Sequence, residues 1–430
     1  MSHTSNRRTF MQNSALAAGA WIVSSAAHRA RAATSANESV AVGVIGVNGR
    51  GAALADGFAS VGGSHVAYVC DVDERVIDRC ASAVASRQSK TPKTVTDLRR
   101  IFDDPAVDAV AIATPDHWHG PATILACAAG KHVYVEKPAC HNPREGELMV
   151  EAARKHKRVV QLGTQRRTMD AVIEAIQRVH EGEIGRVLMS RGWYTANRKP
   201  IGHGKPAPVP NGLDYTLWQG PAPEVPYRDN VVHYNWHWFW HWGTAELGNN
   251  GIHSLDLCRW GLQVDYPTRV SAGGGKYFFD DDQETPDTHT VTYDFGDKVI
   301  AWEGRNWHRR GFENSTWGFS FYGDKGSLVC NGRDYKIYDS GDKEIAKQTE
   351  GFTGHDPHLR NFLECIHTGA RPTADIEDGH KSTLLCHLGN IAYRTGHTLN
   401  IDPANGHPQD DPAADALWSR EYRPGWEPKV

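Results

Sequence analysis

Three short clusters of residues carry chemistry in this chain. The first is Glu136-Lys137-Pro138, which follows the apolar run Val133 to Val135. Bounded by Gly130 and Pro138, that run reads as a buried strand, and its carboxyl end is where open α/β sheets bind ligands. A Lys at that point is well placed for chemistry and poorly placed for packing, unless it snorkels to the surface. The second cluster is Gly46-Val47-Asn48-Gly49-Arg50-Gly51, after the apolar strand Val40–Ile45. It is G-x-G-x-x-G in position, with Asn48 where the second Gly stands. Backbone N–H groups at the start of the following helix would hold a pyrophosphate. Asn is the next most tolerant residue of left-handed backbone, so the turn is expected to form. The third is Asp71, which ends the strand His65–Cys70 and lies 20 residues after Gly51. That spacing suits an acid bonding the ribose 2′-hydroxyl, and no Arg follows directly, so NAD is favoured over NADP. A helix cap is the plainer role open to Asp71.

Alternating strands and helices must position these groups. Ala106–Ala113 reads as a fully apolar parallel strand with Thr114-Pro115 at its exit, and His119 follows in the same crevice. A helix from about 144 to 156 leads to the strand Val159–Gly163, after which Gln165 and Arg166 face that crevice as substrate contacts. The rhythm predicts a doubly wound parallel sheet over 39–165. Past Met169 the pattern changes. A helix over about 170–181 gives way to irregular sequence from Trp193 to Trp242, then to a helical pattern around His253, Asp256 and Trp260. Thr288–Phe295, Lys298–Arg305, Gly318–Tyr322 and Ser327–Cys330 read as antiparallel strands, with turns at Gly296-Asp297 and Gly323-Asp324. Helices return at about 358–367 and 378–395. The predicted organisation is α/β: the doubly wound domain over 39–165, a second domain of helices and antiparallel strands over 166–400, and an arm over 401–430 anchored by Trp418, Tyr422 and Trp426.

The alternation Trp236-His237-Trp238-Phe239-Trp240-His241-Trp242 presents flat aromatic faces suited to pyranose rings, and Trp238 at its centre is taken as a sugar contact. Core packing and an oligomer interface are the plainer readings. His233, His237 and His241 recur at i, i+4, i+8, and His117-x-His119 is a second pair. No Cys or carboxylate joins either set at a useful spacing, so no metal is assigned.

Composition narrows the class. With 40% hydrophobic and 23% charged residues the chain is globular, and its length suits two or three domains. Asn6-Arg7-Arg8-Thr9-Phe10-Met11, a mild apolar run to Ala27 and Ala30-Arg31-Ala32 resemble a twin-arginine leader with its cleavage site at 1–32. The run is too short and mild to insert in a membrane. Removing its four Arg takes the formal charge from −4 to −8, which argues against nucleic acid or an anionic membrane as partner. The expected destination is the periplasm, reached folded by the twin-arginine export machinery. The eight Cys show no C-x-x-C spacing and read mostly as buried thiols, with disulfides open.

Together, Gly46-x-Asn48-x-x-Gly51, Asp71, Thr114-Pro115 with His119, Glu136-Lys137-Pro138 and Gly251-x-His253-x-x-Asp256 resemble the glucose–fructose oxidoreductase / inositol dehydrogenase / MocA (Gfo/Idh/MocA) family, in its exported branch. The resemblance spans roughly 39–400 and implies a Rossmann domain followed by an α+β domain on an open, mostly antiparallel sheet. It implies hydride transfer between nicotinamide and a sugar or polyol carbon, with Lys137 as catalytic lysine and His253 as acid/base. It places Glu136 beside the cofactor, Asn249 and Asp256 on the substrate helix, and implies a homodimer or homotetramer. Asn249 stands where the family usually has Asp, so Lys137 and His253 suffice alone or Glu246 or Asp256 takes over part of the role. Two other functions stay open. One is redox-neutral glycoside cleavage through a transient keto-sugar. The other is a non-catalytic carbohydrate-binding protein, motivated by Asn48 and Asn249.

Overall fold

The computed structural model describes residues 39–349 and 354–430; the leader assigned to 1–32 lies outside them. Six parallel strands form the first sheet: β1 (Val40–Ile45), β2 (Ser64–Cys70), β3 (Lys93–Val95), β4 (Ala109–Ile112), β5 (His132–Val135) and β6 (Val160–Leu162). Their order is β3-β2-β1-β4-β5-β6, so the strand order reverses between β1 and β4, which makes a crevice at their carboxyl ends. Only the edge strand β3 escapes the sequence reading, because its three residues are exposed or half-buried and carry no apolar run.

Apolar side chains pack on both faces of this sheet, as buried parallel strands require. One face takes Ile101, Trp118, Ile124 and Met149; the other takes Leu54, Phe58, Leu359 and Phe362. Leu359, Phe362 and Leu363 belong to helix Asp356–Thr368, far along the chain. The Rossmann core is therefore completed by a helix that the sequence division assigns to the second domain.

The second sheet holds β7 (Val187–Thr195), β8 (Arg269–Gly275), β9 (Thr288–Asp294), β10 (Val299–Arg305), β11 (Trp317–Gly323), β12 (Gly326–Cys330), β13 (Tyr335–Asp339), β14 (Glu344–Gln348) and β15 (Leu399–Asn400). It is antiparallel except between β7 and β10. In β9, His289, Val291 and Tyr293 turn inward while Thr290 and Thr292 face out, so one face is covered and the other open. Helices Ile252–Leu262 and Ile376–Thr395 cover the inner face.

The segment after β7 crosses back over the first sheet. Asp214 N–H donates to the Val72 carbonyl, Trp118 Nε1 donates to the Trp218 carbonyl, and an aromatic cluster of Tyr215, Trp218, Tyr227 and Trp242 roofs the strand ends. The arm docks on the same domain. Trp418 Nε1 donates to Glu147 (2.9 Å), the Tyr422 hydroxyl to Glu145 (2.9 Å), and Trp426 meets Trp118 edge-on at 5.2 Å.

Candidate active site

A cavity of about 540 Å³ opens at the carboxyl ends of β1, β2, β4 and β5, under the returning segment. Gly46, Asn48, Asp71, Thr114, Pro115, His119, Glu136, Lys137, Gln165 and Asn249 all line it.

Its cofactor end is shaped by glycine. Gly46 has φ 82, and a Cβ there would lie 2.7 Å from the Ala113 carbonyl oxygen. A Cβ on Gly51 would lie 1.8 Å from the Gly46 oxygen, so Gly51 shapes the turn without lining the cavity. Asn48 is not left-handed; Gly46 takes the left-handed φ of this turn, so the special tolerance expected of Asn48 is not used. Helix Arg50–Ser60 starts without a side-chain cap, leaving first-turn N–H groups for an anion. Asp71 accepts from Val47 N–H (2.7 Å) and Asp73 N–H (3.0 Å), which orients its carboxylate at the end of β2. Among the described residues the buried Thr114 hydroxyl and Gln165 Oε1 have no partner. A glycine-lined crevice with an acid at the β2 end fits NAD, and the carboxylate would repel the extra phosphate of NADP.

The catalytic end is built on Lys137. Its Nζ donates to the Asn249 carbonyl (2.7 Å) and to Asn249 Oδ1 (3.1 Å). Burial depresses the ammonium's pKa, opposed by the charges of Glu136, Asp116 and Glu246. Asn249 sits in a π-helical turn, Leu247–Gly251, that leads directly into helix Ile252–Leu262. Such turns shift the backbone hydrogen-bond register, and they recur at functional sites. Gly248 makes the turn fit, since a Cβ there would lie 2.0 Å from Thr244 Oγ1. Glu136 is held by Arg50, whose Nε donates at 2.6 Å. Burial opposes its charge, but Arg50 and Lys137 keep its carboxyl below the ordinary range. His119 is pinned between the carbonyls of Pro138 (2.7 Å) and Thr114 (2.8 Å).

His253 lies one turn after Asn249, with Nδ1 buried and unpartnered and 8% of the residue exposed. Burial first, then Arg166, Lys137 and Arg50, hold its imidazole well below the ordinary 6.5. It is therefore neutral at pH 7 and able to accept a proton. It does not itself line the cavity.

Several expectations need correction. Asp256 is not available to substrate: Arg167 grips both its oxygens at 2.7 Å and the Ser382 hydroxyl donates at 2.6 Å, all buried. Trp238 is 2% exposed, and Trp236 lines the cavity instead, stacked on His237 at 3.6 Å. Arg166 stands outside the cavity lining, with its guanidinium over the Trp317 ring at 3.5 Å. His233, His237 and His241 do not share a helical face. Only Asn235–Trp238 is helical there, His233 pairs with Asp73 (2.8 Å) and His241 with the Pro223 carbonyl (2.8 Å).

The sequence reading gave Asp116 no role and offered Glu246 only as one of two substitutes. Asp116 is buried, accepts from the Thr244 hydroxyl at 2.6 Å, and burial raises its pKa while His119 and Lys137 oppose. Glu246, one of two suggested substitutes for the missing Asp, is the one near Lys137. Asn249 Nδ2 donates to it (3.3 Å), and Arg198 clamps it at 2.8 and 3.2 Å. Asp116 directly follows Thr114-Pro115, a signal that could have found it; the Glu246–Arg198 pair has no local signal.

Comparison with known proteins agrees with this architecture. Residues 40–164 match the model of the oxidoreductase family's NAD-binding Rossmann fold, and residues 200–428 match its C-terminal alpha/beta domain. A "Glycosyl hydrolase family 109 protein" of Saccharopolyspora erythraea is 34% identical over 37% of this chain and 36% of its own length. A levoglucosan dehydrogenase of Pseudarthrobacter phenanthrenivorans is 37% identical over 26% of this chain and 29% of its own. The matches thus span about a third of each curated relative. The solved aldose–aldose oxidoreductase of Caulobacter crescentus shares the fold, with TM-score 0.66 and 19% identity over 84% of this chain and 100% of that one. With its cavity, its NAD-binding domain and both family models in register, the chain belongs to the Gfo/Idh/MocA oxidoreductase family.

Proposed function

We propose that the protein is an exported oxidoreductase that transfers a hydride to or from a secondary alcohol of a sugar or sugar derivative, with NAD held through the cycle. The observation that carries the reading is the Lys137 ammonium at the cavity wall, with two of its three donors spent on Asn249. Bound NAD supplies the hydride acceptor or donor. The third N–H of Lys137 is free for a substrate hydroxyl and stabilises its developing alkoxide. His253, neutral at pH 7 and one turn beyond Asn249, takes the hydroxyl proton and returns it in the reverse direction, the acid/base role that the family resemblance implies. Asn249 cannot carry a proton, so its work is to aim Lys137. Trp236 offers an aromatic face for a sugar ring.

Export rests on the twin-arginine leader, and a compartment without free NAD favours retained cofactor. The open face of the second sheet is the surface for a dimer or tetramer. Denaturing purified protein should release NAD(H), and a sugar panel should raise or bleach the absorbance of bound NADH. An empty protein that also fails to bind added NAD would sink this reading.

The relative carrying a glycosyl hydrolase family 109 name favours a second reading. Oxidising a ring hydroxyl acidifies the neighbouring C–H, a glycosidic substituent is eliminated, and the hydride is returned. Aglycone release from aryl glycosides without added NAD supports this cycle; net NADH growth on free sugars supports the simple dehydrogenase.

A further inference from the structure

The segment that returns over the first sheet is tied to it on both sides of the crevice. On the β2 side, Asp214 N–H donates to the Val72 carbonyl (2.9 Å) and Glu74 N–H to the Gly212 carbonyl (2.8 Å). His233 Nε2 adds a third tie there, donating to Asp73 Oδ2 (2.8 Å). On the β4 side, Trp118 Nε1 donates to the carbonyls of Leu217 (3.2 Å) and Trp218 (3.0 Å). His117 Nε2 donates to the same Trp218 carbonyl (2.9 Å). Gly220 lets the chain lie against Trp118, since a Cβ there would lie 2.0 Å from that ring.

These ties have a consequence for a bound dinucleotide. Strands β2 and β4 flank β1, so the segment spans the place where the glycine turn would hold the pyrophosphate. Gly46, Asn48 and Asp71 line the cavity from the first domain, and Leu217, Trp218 and His233 line it from the segment. The two limbs of the segment are held differently. Residues 212–220 use backbone hydrogen bonds and the buried side chains of Leu213, Tyr215 and Trp218. The limb around His233 reaches Asp73 through one side chain, 30% exposed. Asp73 is a firm anchor, buried and gripped by Arg75 at 2.6 and 2.7 Å. The contact between His233 and Asp73 is therefore the tie that opens most easily.

We propose that residues 212–237 form a strap that retains NAD, with His233 as the positioning residue that latches it on Asp73. The cofactor enters and leaves when that latch opens. This rests on the oxidoreductase reading for the identity of the cofactor.

Exchange of bound NAD for labelled NAD in the intact holoenzyme tests it. The label should enter the parent over hours. His233→Ala should speed exchange roughly 10- to 100-fold, the loss of one charge-assisted hydrogen bond that holds the strap down. Affinity for NADH, read by fluorescence titration, should fall far less, because an open strap quickens binding as well as release. His233→Gln, which keeps a donor for Asp73, should recover part of the slow exchange. Equal exchange in the parent and His233→Ala overturns the proposal. So does an affinity that falls in step with the exchange rate, the mark of a simple contact with the cofactor. A parent that trades its NAD within seconds overturns it too. Those outcomes sink the strap alone, whereas protein that carries no NAD(H) and takes up none sinks the oxidoreductase reading with it.

Discussion

Lys137 and Asn249 meet twice, once through the Asn249 carbonyl at 2.7 Å and once through its Oδ1 at 3.1 Å. The lysine is thereby aimed by a neutral partner, and burial lowers its pKa against the opposing charges of Glu136, Asp116 and Glu246. The ammonium form stabilises alkoxide, so activity is lost as pH rises through a value below the ordinary 10.5. On the acid side, activity is lost only when His253 takes a proton, well below 6.5. Asn249→Asp places a carboxylate about 3 Å from Nζ and raises the Lys137 pKa. The alkaline limb of kcat against pH should move up by roughly a unit or more, with the acid limb little changed. An alkaline limb that stays in place would show that Lys137 does not set it.

Asp71 ties the turn after β1 to the end of β2 and faces the cofactor crevice. Asp71→Ala should weaken NAD binding roughly 10- to 100-fold, the loss of one charge-assisted hydrogen bond. NADP binding should fall less, so the preference for NAD narrows. Fluorescence titration with both cofactors checks this, and an unchanged NAD/NADP ratio would contradict the role given to Asp71.

The arm is locked through a buried acid. Glu145 accepts from His141 N–H (3.0 Å) and the Tyr422 hydroxyl (2.9 Å), yet burial lifts its pKa from 4.5 to about 7. An acid whose folded pKa is raised holds its proton longer when folded. Stability therefore falls as pH rises from about 4.5 to 7 and stays lowered above that. Glu145→Gln should remove this dependence, gaining at most about 2.5 kcal/mol relative to the parent between pH 5 and pH 8. Urea unfolding at the two pH values measures the difference, and a pH-independent gap would refute it.

Much of the first domain was legible because β1, β2, β4 and β5 are continuous apolar runs flanked by glycine or proline, and parallel burial demands that pattern. The second sheet was legible only in its hairpins. Central strand β7 was missed because Arg191 and Gly192 interrupt its run, and its parallel partner β10 lies over 100 residues away. At the site, Lys137, Asp71 and the glycine turn were readable from local spacing. Trp236 and Trp238 could not be told apart, because a 3₁₀ turn rather than a regular element decides which ring faces the cavity. The substrate role expected of Asp256 failed for a similar reason, since Arg167 and Ser382 reach it from 89 and 126 residues away.

We propose that Lys137 works on substrate beside bound NAD. The most direct test follows cofactor absorbance in protein offered the sugar panel, comparing the parent with Lys137→Met. The parent should interconvert NAD and NADH. The variant should lose roughly 100-fold or more in rate, the loss of one preorganised donor to the alkoxide, and still release NAD(H) on denaturation. Near-normal turnover in Lys137→Met would contradict it.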